Sequence, residues 1–229
     1  MPFFTPIGFF PPTQAKPSPL TQRLFSRRDT IPPHRNGLWR IQRGVVRTLT
    51  WSEEGTLITL GYWGPGHVVG HPLSRLRPYH IECLTSVKAK ILPSELWYQT
   101  VDAMVLHIQQ TEELLTIVNH KSLSLRLWQF LVWLGEKFGR DVDLEAYVNR
   151  EGMAFYTTQP TQAPTKSTKS LSLTLGATSK GRLIDLRLTH QEMAETINTS
   201  RVTVTRLLQQ FESEGMLQRH LRRLILCGQ

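Results

Sequence analysis

The chain has 229 residues, with 27 Lys+Arg against 18 Asp+Glu for a formal charge of +9, 40% hydrophobic residues and 2 cysteines. That apolar content at that length is enough for a core and excludes global disorder, while Cys83 and Cys227 alone supply neither a disulfide framework nor a four-thiolate metal site. No apolar run reaches the roughly 18 to 20 residues of a membrane helix, and Pro-rich residues 1–19 lack the basic start and apolar stretch of a signal peptide, so a cytoplasmic protein with no membrane partner is expected.

The positive charge is uneven. Residues 1–50 hold 8 basic side chains and 1 acidic one, chiefly Arg23, Arg27, Arg28, Arg35, Arg40, Arg43 and Arg47. They read as a solvated face, and bulk charge alone does not establish nucleic-acid binding. Residues 1–22 are expected to be disordered. Between Leu38 and Leu92 the segments LWRIQRGVVRTLTW, EEGTLITLGYW, GPGHVVG and YHIECLTSVKAKIL read as short strands with glycine turns, which predicts an antiparallel sandwich or barrel over residues 23–93.

The texture changes at Ser94. Val101, Met104, Ile108, Thr111, Leu115 and Val118 recur at 3,4,3,4,3 spacing, a heptad seam interrupted at Thr111. The helix either packs on its own domain or pairs with its copy in a homodimer. A second apolar helix follows through Leu127, Phe130, Leu131 and Leu134, so residues 94–139 form one helical region. Residues 140–180, rich in Thr, Ser, Gln and Pro, predict a disordered insert, because such side chains bury too little apolar area to offset chain entropy.

The last segment, residues 181–229, carries the functional signal. Thr189 and Glu192 form a T-x-x-E capping box that starts a helix. Asn198-Thr199-Ser200 is a tight turn whose serine caps the next helix, which together make a helix-turn-helix. On the second helix Val204, Leu207, Leu208 and Phe211 form one buried stripe, so Val202, Arg206 and Gln209 point outward, flanked by Arg201, Thr203 and Thr205. Arg201 and Arg206 suit the O6 and N7 acceptors of guanine, and Val202 suits a thymine methyl. Gly215 reads as a left-handed helix cap. Strands at 217–219 and 222–226 then make a wing, where Arg219, His220, Arg222 and Arg223 suit phosphate. The candidate DNA-contacting set is Thr189, Gln191, Ser200, Arg201, Val202, Thr203, Thr205, Arg206, Gln209, Arg219, Arg222 and Arg223.

The string LTHQEMAETINTSRVTVTRLLQQFESEGML resembles the winged helix-turn-helix of the CRP/FNR family of bacterial transcription regulators. Within it, SRVTVTRLL is most similar to the NtcA-type nitrogen-control branch. GPGHVVG, QQTEELL and RLWQFLVWLGEKFG extend the resemblance over roughly residues 38–138 and 182–228. It implies an α+β protein: an N-terminal double-stranded β-helix barrel of the cyclic-nucleotide-binding type, a long central dimerisation helix, and a C-terminal winged helix-turn-helix DNA-binding domain. It further implies a homodimer on double-stranded DNA with an inverted-repeat site of GTA and TAC halves, and RNA polymerase as a partner.

The resemblance also places a candidate effector site at Gly70, His71, Arg77, Tyr79 and Glu112. The family's cyclic-nucleotide receptors use Gly-Glu for the ribose and Arg-Ser or Arg-Thr for the phosphate, where this chain has Gly70-His71 and Arg77-Pro78. An imidazole does not replace a carboxylate accepting two hydroxyl protons, and proline offers no donor, which argues against a cyclic nucleotide. The nitrogen-control branch senses 2-oxoglutarate through an Arg-x-Tyr-His stretch, matched by Arg77-Pro78-Tyr79-His80, and through Gln-Thr-Glu, matched by Gln110-Thr111-Glu112. That branch's arginine one turn earlier is His107 here, and the segment from Gly70 to Arg77 is short. No metal site and no catalytic residues are expected. The iron–sulfur branch's N-terminal cysteines are missing. A cupin-like metalloprotein built on His67 and His71 with an appended interaction domain is the alternative, although the H-x-H plus Glu pattern is absent from GHVVGHPLSRL. A scaffold whose helix-turn-helix binds protein is a third reading.

Overall fold

The computed structural model describes residues 22–144, 147, 180–220 and 223–227. The disorder expected of residues 1–21 and 148–179 therefore lies outside the described residues. The first two-fifths of the chain form an antiparallel barrel of two sheets. One sheet has the order β1 (Gln22–Phe25), β7 (Val87–Pro93), β2 (Gly37–Arg43), β5 (Val68–Val69); the other has β4 (Leu57–Trp63), β3 (Val46–Trp51), β6 (His80–Cys83). Alternation sets their faces: Val87 and Ala89 point inward while Lys88 and Lys90 are half-exposed, and Trp39 and Ile41 flank exposed Arg40. Trp39, Trp63, Tyr79 and Ile81 fill the interior.

Two boundaries differ from the sequence reading. Gln22, assigned to a disordered start, pairs with Lys90 in β1. The insert assigned to 140–180 begins and ends as a ladder, with β8 (Gly139–Asp143) antiparallel to β9 (Lys180–Ile184). Neither GRDVD nor KGRLI alternates clearly, so each is held by its neighbours more than by its own pattern.

Helix α1 (Val101–Val118) follows a 3-10 turn at Ser94–Thr100, and α2 (Leu123–Phe138) starts at Ser122, whose side chain accepts from the Leu125 amide. The inner face of α1 is Ala103, Gln110, Leu114 and Ile117, and Gln110 Nε2 donates to the Tyr62 carbonyl. Its outer face leaves Val101 56%, Ile108 59% and Leu115 59% exposed, side chains one heptad apart. Of the six seam residues, Met104 and Val118 are half-buried against their own subunit, so they serve the intrachain core as well. Glu113 ties the two helices together, accepting from Trp133 Nε1 at 2.8 Å and pairing with Lys137.

The C-terminal unit consists of α3 (His190–Thr196), α4 (Arg201–Ser213) and the sheet β10 (Leu217–His220), β11 (Arg223–Cys227), β9, β8. One hydrophobic cluster runs from Leu127, Phe130 and Leu131 of α2 to Val204, Leu208 and Phe211 of α4 and Leu226 of β11, with Tyr62 of β4 at its edge.

His107 occupies the underside of α1. Its ring stacks on Trp63 with centroids 3.6 Å apart, and Nδ1 lies 3.2 Å from the Val68 carbonyl. Burial pushes its pKa down from 6.5 to about 4, against a smaller opposing effect of the Val68 bond. The folded imidazole thus binds fewer protons than the unfolded one between those values, so its contribution to stability is complete above 6.5 and is lost as pH falls toward 4. Urea midpoints measured across this range are expected to fall less steeply for His107→Phe, which keeps a ring on Trp63, than for the wild type; parallel curves would remove His107 from the account.

Candidate nucleic-acid interface

The reading head is built by local chemistry. Thr189 accepts from the Glu192 amide at 3.1 Å, and Glu192 accepts in return from the Thr189 amide, completing the capping box of α3. Ser200 accepts from the Thr203 amide at 3.1 Å to start α4. Gly215 adopts φ +72°, the left-handed conformation that ends the helix at little steric cost. Between the caps, Val204, Leu207, Leu208 and Phe211 are buried, and the Phe211 ring meets Trp128 of α2 edge-on at 5.5 Å.

Burying that stripe turns the other face outward. Arg201, Arg206 and Gln209 are exposed, and Val202 is 77% exposed, with Thr203 and Thr205 half-buried beside them. Neither arginine has a carboxylate partner among the described residues. A second contact fixes α4 against α3. Thr205 donates its one proton to the Arg201 carbonyl at 2.9 Å, so its oxygen accepts from His190 Nδ1 at 2.8 Å. Burial, with Arg219 and Arg201 nearby, lowers the His190 pKa, and the donating Nδ1 carries its proton in either charge state. His190 was not legible as a site residue, because its partner lies across the turn.

Several expected contacts are committed elsewhere. Thr189 and Ser200 act first as helix caps, and Gln191 Nε2 donates to Glu195 at 3.2 Å. Arg219, expected on phosphate, grips Glu212 through Nε at 2.8 Å and through Nη2, and this bonding lowers the Glu212 pKa. Arg223 faces Asp185 at 3.7 Å and donates to the Tyr147 hydroxyl at 3.2 Å. Arg219 is therefore paired with Glu212, whereas Arg223 shares Asp185 with Arg140, which lies closer to it at 3.1 Å. Arg222 lies outside the described residues.

The contacts that sequence reasoning missed join the head to the barrel. Arg47 on β3, expected in the solvated arginine set, is only 6% exposed. Its Nε donates to Glu82 of β6 at 2.7 Å and its Nη1 to Glu195 of α3 at 2.9 Å. Burial works against this charge, but the two carboxylates outweigh it and raise the pKa. Beside it the buried Tyr62 hydroxyl bonds Thr196 Oγ1; Thr196 spends its own proton on the Glu192 carbonyl at 2.8 Å, so Tyr62 is the donor. Arg126 of α2 completes the set, donating to the His120 carbonyl past the end of α1 and to the Ile197 carbonyl at the end of α3, the latter at 2.8 Å. A cation at two helix C-termini also meets the negative ends of both dipoles.

The effector candidates divide. Gly70 lies where a Cβ would come 3.1 Å from Leu38 and 3.2 Å from the Gly37 carbonyl. His71 meets the Tyr79 ring edge-on at 5.3 Å, and His71 and Arg77 line one cleft. Tyr79 belongs to the barrel core, where burial pushes its hydroxyl up to about 12. Glu112 sits on the exposed face of α1 and does not line that cleft.

A barrel, a long helix with an exposed heptad, and a winged helix-turn-helix together define a DNA-binding transcription regulator. The model of the Crp-like helix-turn-helix domain matches residues 171–227. Regulatory protein CysR of Synechococcus elongatus is 38% identical over 220 residues, covering 94% of this chain and 88% of its own. The global nitrogen regulator of Nostoc is 26% identical over 239 residues, covering 95% and 86%. A CRP-family transcriptional regulator from Thermus thermophilus superposes with a TM-score of 0.64 at 18% identity, covering 90% of this chain and 92% of that one. The chain belongs to the CRP/FNR family of transcription regulators.

Arg47→Ala leaves Glu82 and Glu195 facing each other without their cation, and a broken buried pair costs about 3 to 5 kcal/mol. Denaturant unfolding is expected to show a loss of that order, and the Glu195→Gln variant a smaller one. A loss below about 1 kcal/mol would class Arg47 with ordinary surface arginines.

Proposed function

We propose that the chain acts as a homodimer that reads an inverted repeat and recruits or blocks RNA polymerase in the cytoplasm, working by binding rather than by catalysis. The observation that carries this reading is the outward row Arg201, Val202, Arg206 and Gln209 on a helix whose opposite face is buried. Arginine pairs with guanine O6 and N7 in the major groove, and the valine methyls suit thymine. The exposed heptad Val101, Ile108 and Leu115 supports pairing through α1, which would set two α4 helices one DNA turn, about 34 Å, apart.

Arg77 supports an anionic effector near Gly70, His71 and Tyr79, and 2-oxoglutarate belongs to the dicarboxylate class that an arginine recognises. His71 and Pro78 at the positions of a ribose-binding carboxylate and a phosphate-binding hydroxyl disfavour a cyclic nucleotide.

Gel-shift titrations on a selected inverted repeat and on random duplex test the assignment. Arg206→Ala is expected to cost about 1 to 3 kcal/mol on the selected site and little on random duplex. Equal losses on both would make Arg206 a phosphate contact instead. Sedimentation of Ile108→Glu with Leu115→Glu is expected to give monomer that loses the inverted repeat; an unchanged dimer would move the interface away from α1.

A further inference from the structure

A hydroxyl decides which nitrogen of His190 is free to act. Thr205 spends its proton on the Arg201 carbonyl, so His190 Nδ1 donates to the Thr205 oxygen at 2.8 Å. The neutral ring therefore carries its single proton at Nδ1, and Nε2 is the atom that gains or loses a proton. Among the described residues Nε2 has no hydrogen-bond partner, and it is not a buried atom, so it faces solvent.

Cations gather around this ring. Burial, then Arg219 of β10 and Arg201 of α4, lowers its pKa, so the imidazole of the free protein is neutral at pH 7. Arg219 is paired with Glu212, whereas Arg201 has no carboxylate partner among the described residues. The acids of α3 itself are engaged, Glu192 in the capping box and Glu195 on Arg47 and Gln191. Thr205 is the neighbour of Arg206, so its bond to His190 fastens the ring at the margin of the outward row. In a helix-turn-helix the first helix crosses the sugar–phosphate backbone while the second enters the major groove. A side chain of α3 tied to α4 thus meets the strand that borders the groove. A backbone phosphate accepts hydrogen bonds and donates none: it repels the lone pair of a neutral Nε2 and accepts from a protonated one.

We propose that His190 contacts a backbone phosphate of the target duplex through Nε2 and takes up a proton as the duplex binds. The proposal rests on the DNA-reading assignment above and adds a contact outside the base-reading row, together with a pH dependence of affinity. The sign follows from charge. The phosphate offsets Arg201 and Arg219 and favours the imidazolium, so affinity rises as pH falls, by up to about tenfold per pH unit for each reading head. The Thr205 bond holds the ring before the duplex arrives, which leaves little side-chain entropy to lose on docking.

Fluorescence anisotropy titrations of the full chain on the selected inverted repeat, at constant ionic strength and at about pH 6 and about pH 8, test this. Wild type is expected to bind at least about tenfold tighter at the lower pH. His190→Gln, which has no titrating nitrogen, is expected to lose that ratio. His190→Arg, a permanent cation, is expected to bind almost equally at the two pH values, with a salt slope at the higher pH steeper than wild type by about 1 per head. His220 is the other histidine of residues 181–229 and the rival source of a proton, and His220→Gln is expected to keep the ratio. A readout independent of the variants is the imidazole titration of His190 followed by nuclear magnetic resonance, expected to move upward when the duplex is bound. Wild-type affinity that is equal at both pH values, a ratio kept by both His190 variants or lost in His220→Gln, or a titration that does not rise in the complex overturns the proposal. A chain that binds the inverted repeat without pH dependence overturns this contact alone, and one that binds no duplex overturns the proposed function with it.

Discussion

The orientation of α4 depends on one constraint, the burial of Val204, Leu207, Leu208 and Phe211 against α2 and the wing. At about 100° per residue, a helix whose stripe is fixed has no freedom left for its other faces. Arg201, Val202 and Arg206 are exposed because their neighbours are not. The stripe is worth several kcal/mol by burial at about 25 cal/mol per Å², far more than any surface ion pair of about 0 to 1 kcal/mol. The presentation of the reading face is thus paid for by apolar packing, and the reading side chains stay free to meet bases.

The same cluster continues into the barrel through Tyr62 and Leu84, so the reader and the sensor-like domain share packed surface. Polar contacts then specify how they sit. Arg47 bridges Glu82 of the barrel and Glu195 of the reader, and Arg126 ties the end of α1 to the end of α3. Each is directional and strong only at short range, whereas apolar contact tolerates sliding. These contacts set α3, one turn away from the reading helix, directly against β3, β4 and α2.

Elements carried by local chemistry were legible in the sequence. The capping box at Thr189, the Ser200 cap, the Gly215 stop and the α4 stripe all appear as expected, because each signal and its partner lie within about one or two helical turns. Strands β2 to β4, β6 and β7 were readable from alternation and glycine punctuation. What was hidden depends on tertiary approach. Arg47 looks like any arginine until Glu195, far along the chain, comes within 2.9 Å. His190 and Thr205 meet only because the turn folds α3 onto α4. The two apolar sides of α1 blur into one heptad pattern, so spacing alone leaves packing on its own domain and pairing with a copy both open; Met104 and Val118 pack on their own subunit. The wing strands are legible in the sequence, but a count of basic side chains does not show their counter-charges: Glu212 pairs with Arg219, and Asp185 lies 3.7 Å from Arg223.

Guanine methylation interference on the bound duplex probes the face of α4 directly, because the N7 methyl blocks the position an arginine fork requires in the major groove. If the packed stripe aims Arg201 and Arg206 as described, modified guanines that abolish binding will fall in two clusters with two-fold symmetry, centred about one helical turn apart. Interference confined to minor-groove adenines, or binding indifferent to N7 methylation throughout the footprint, would contradict the account.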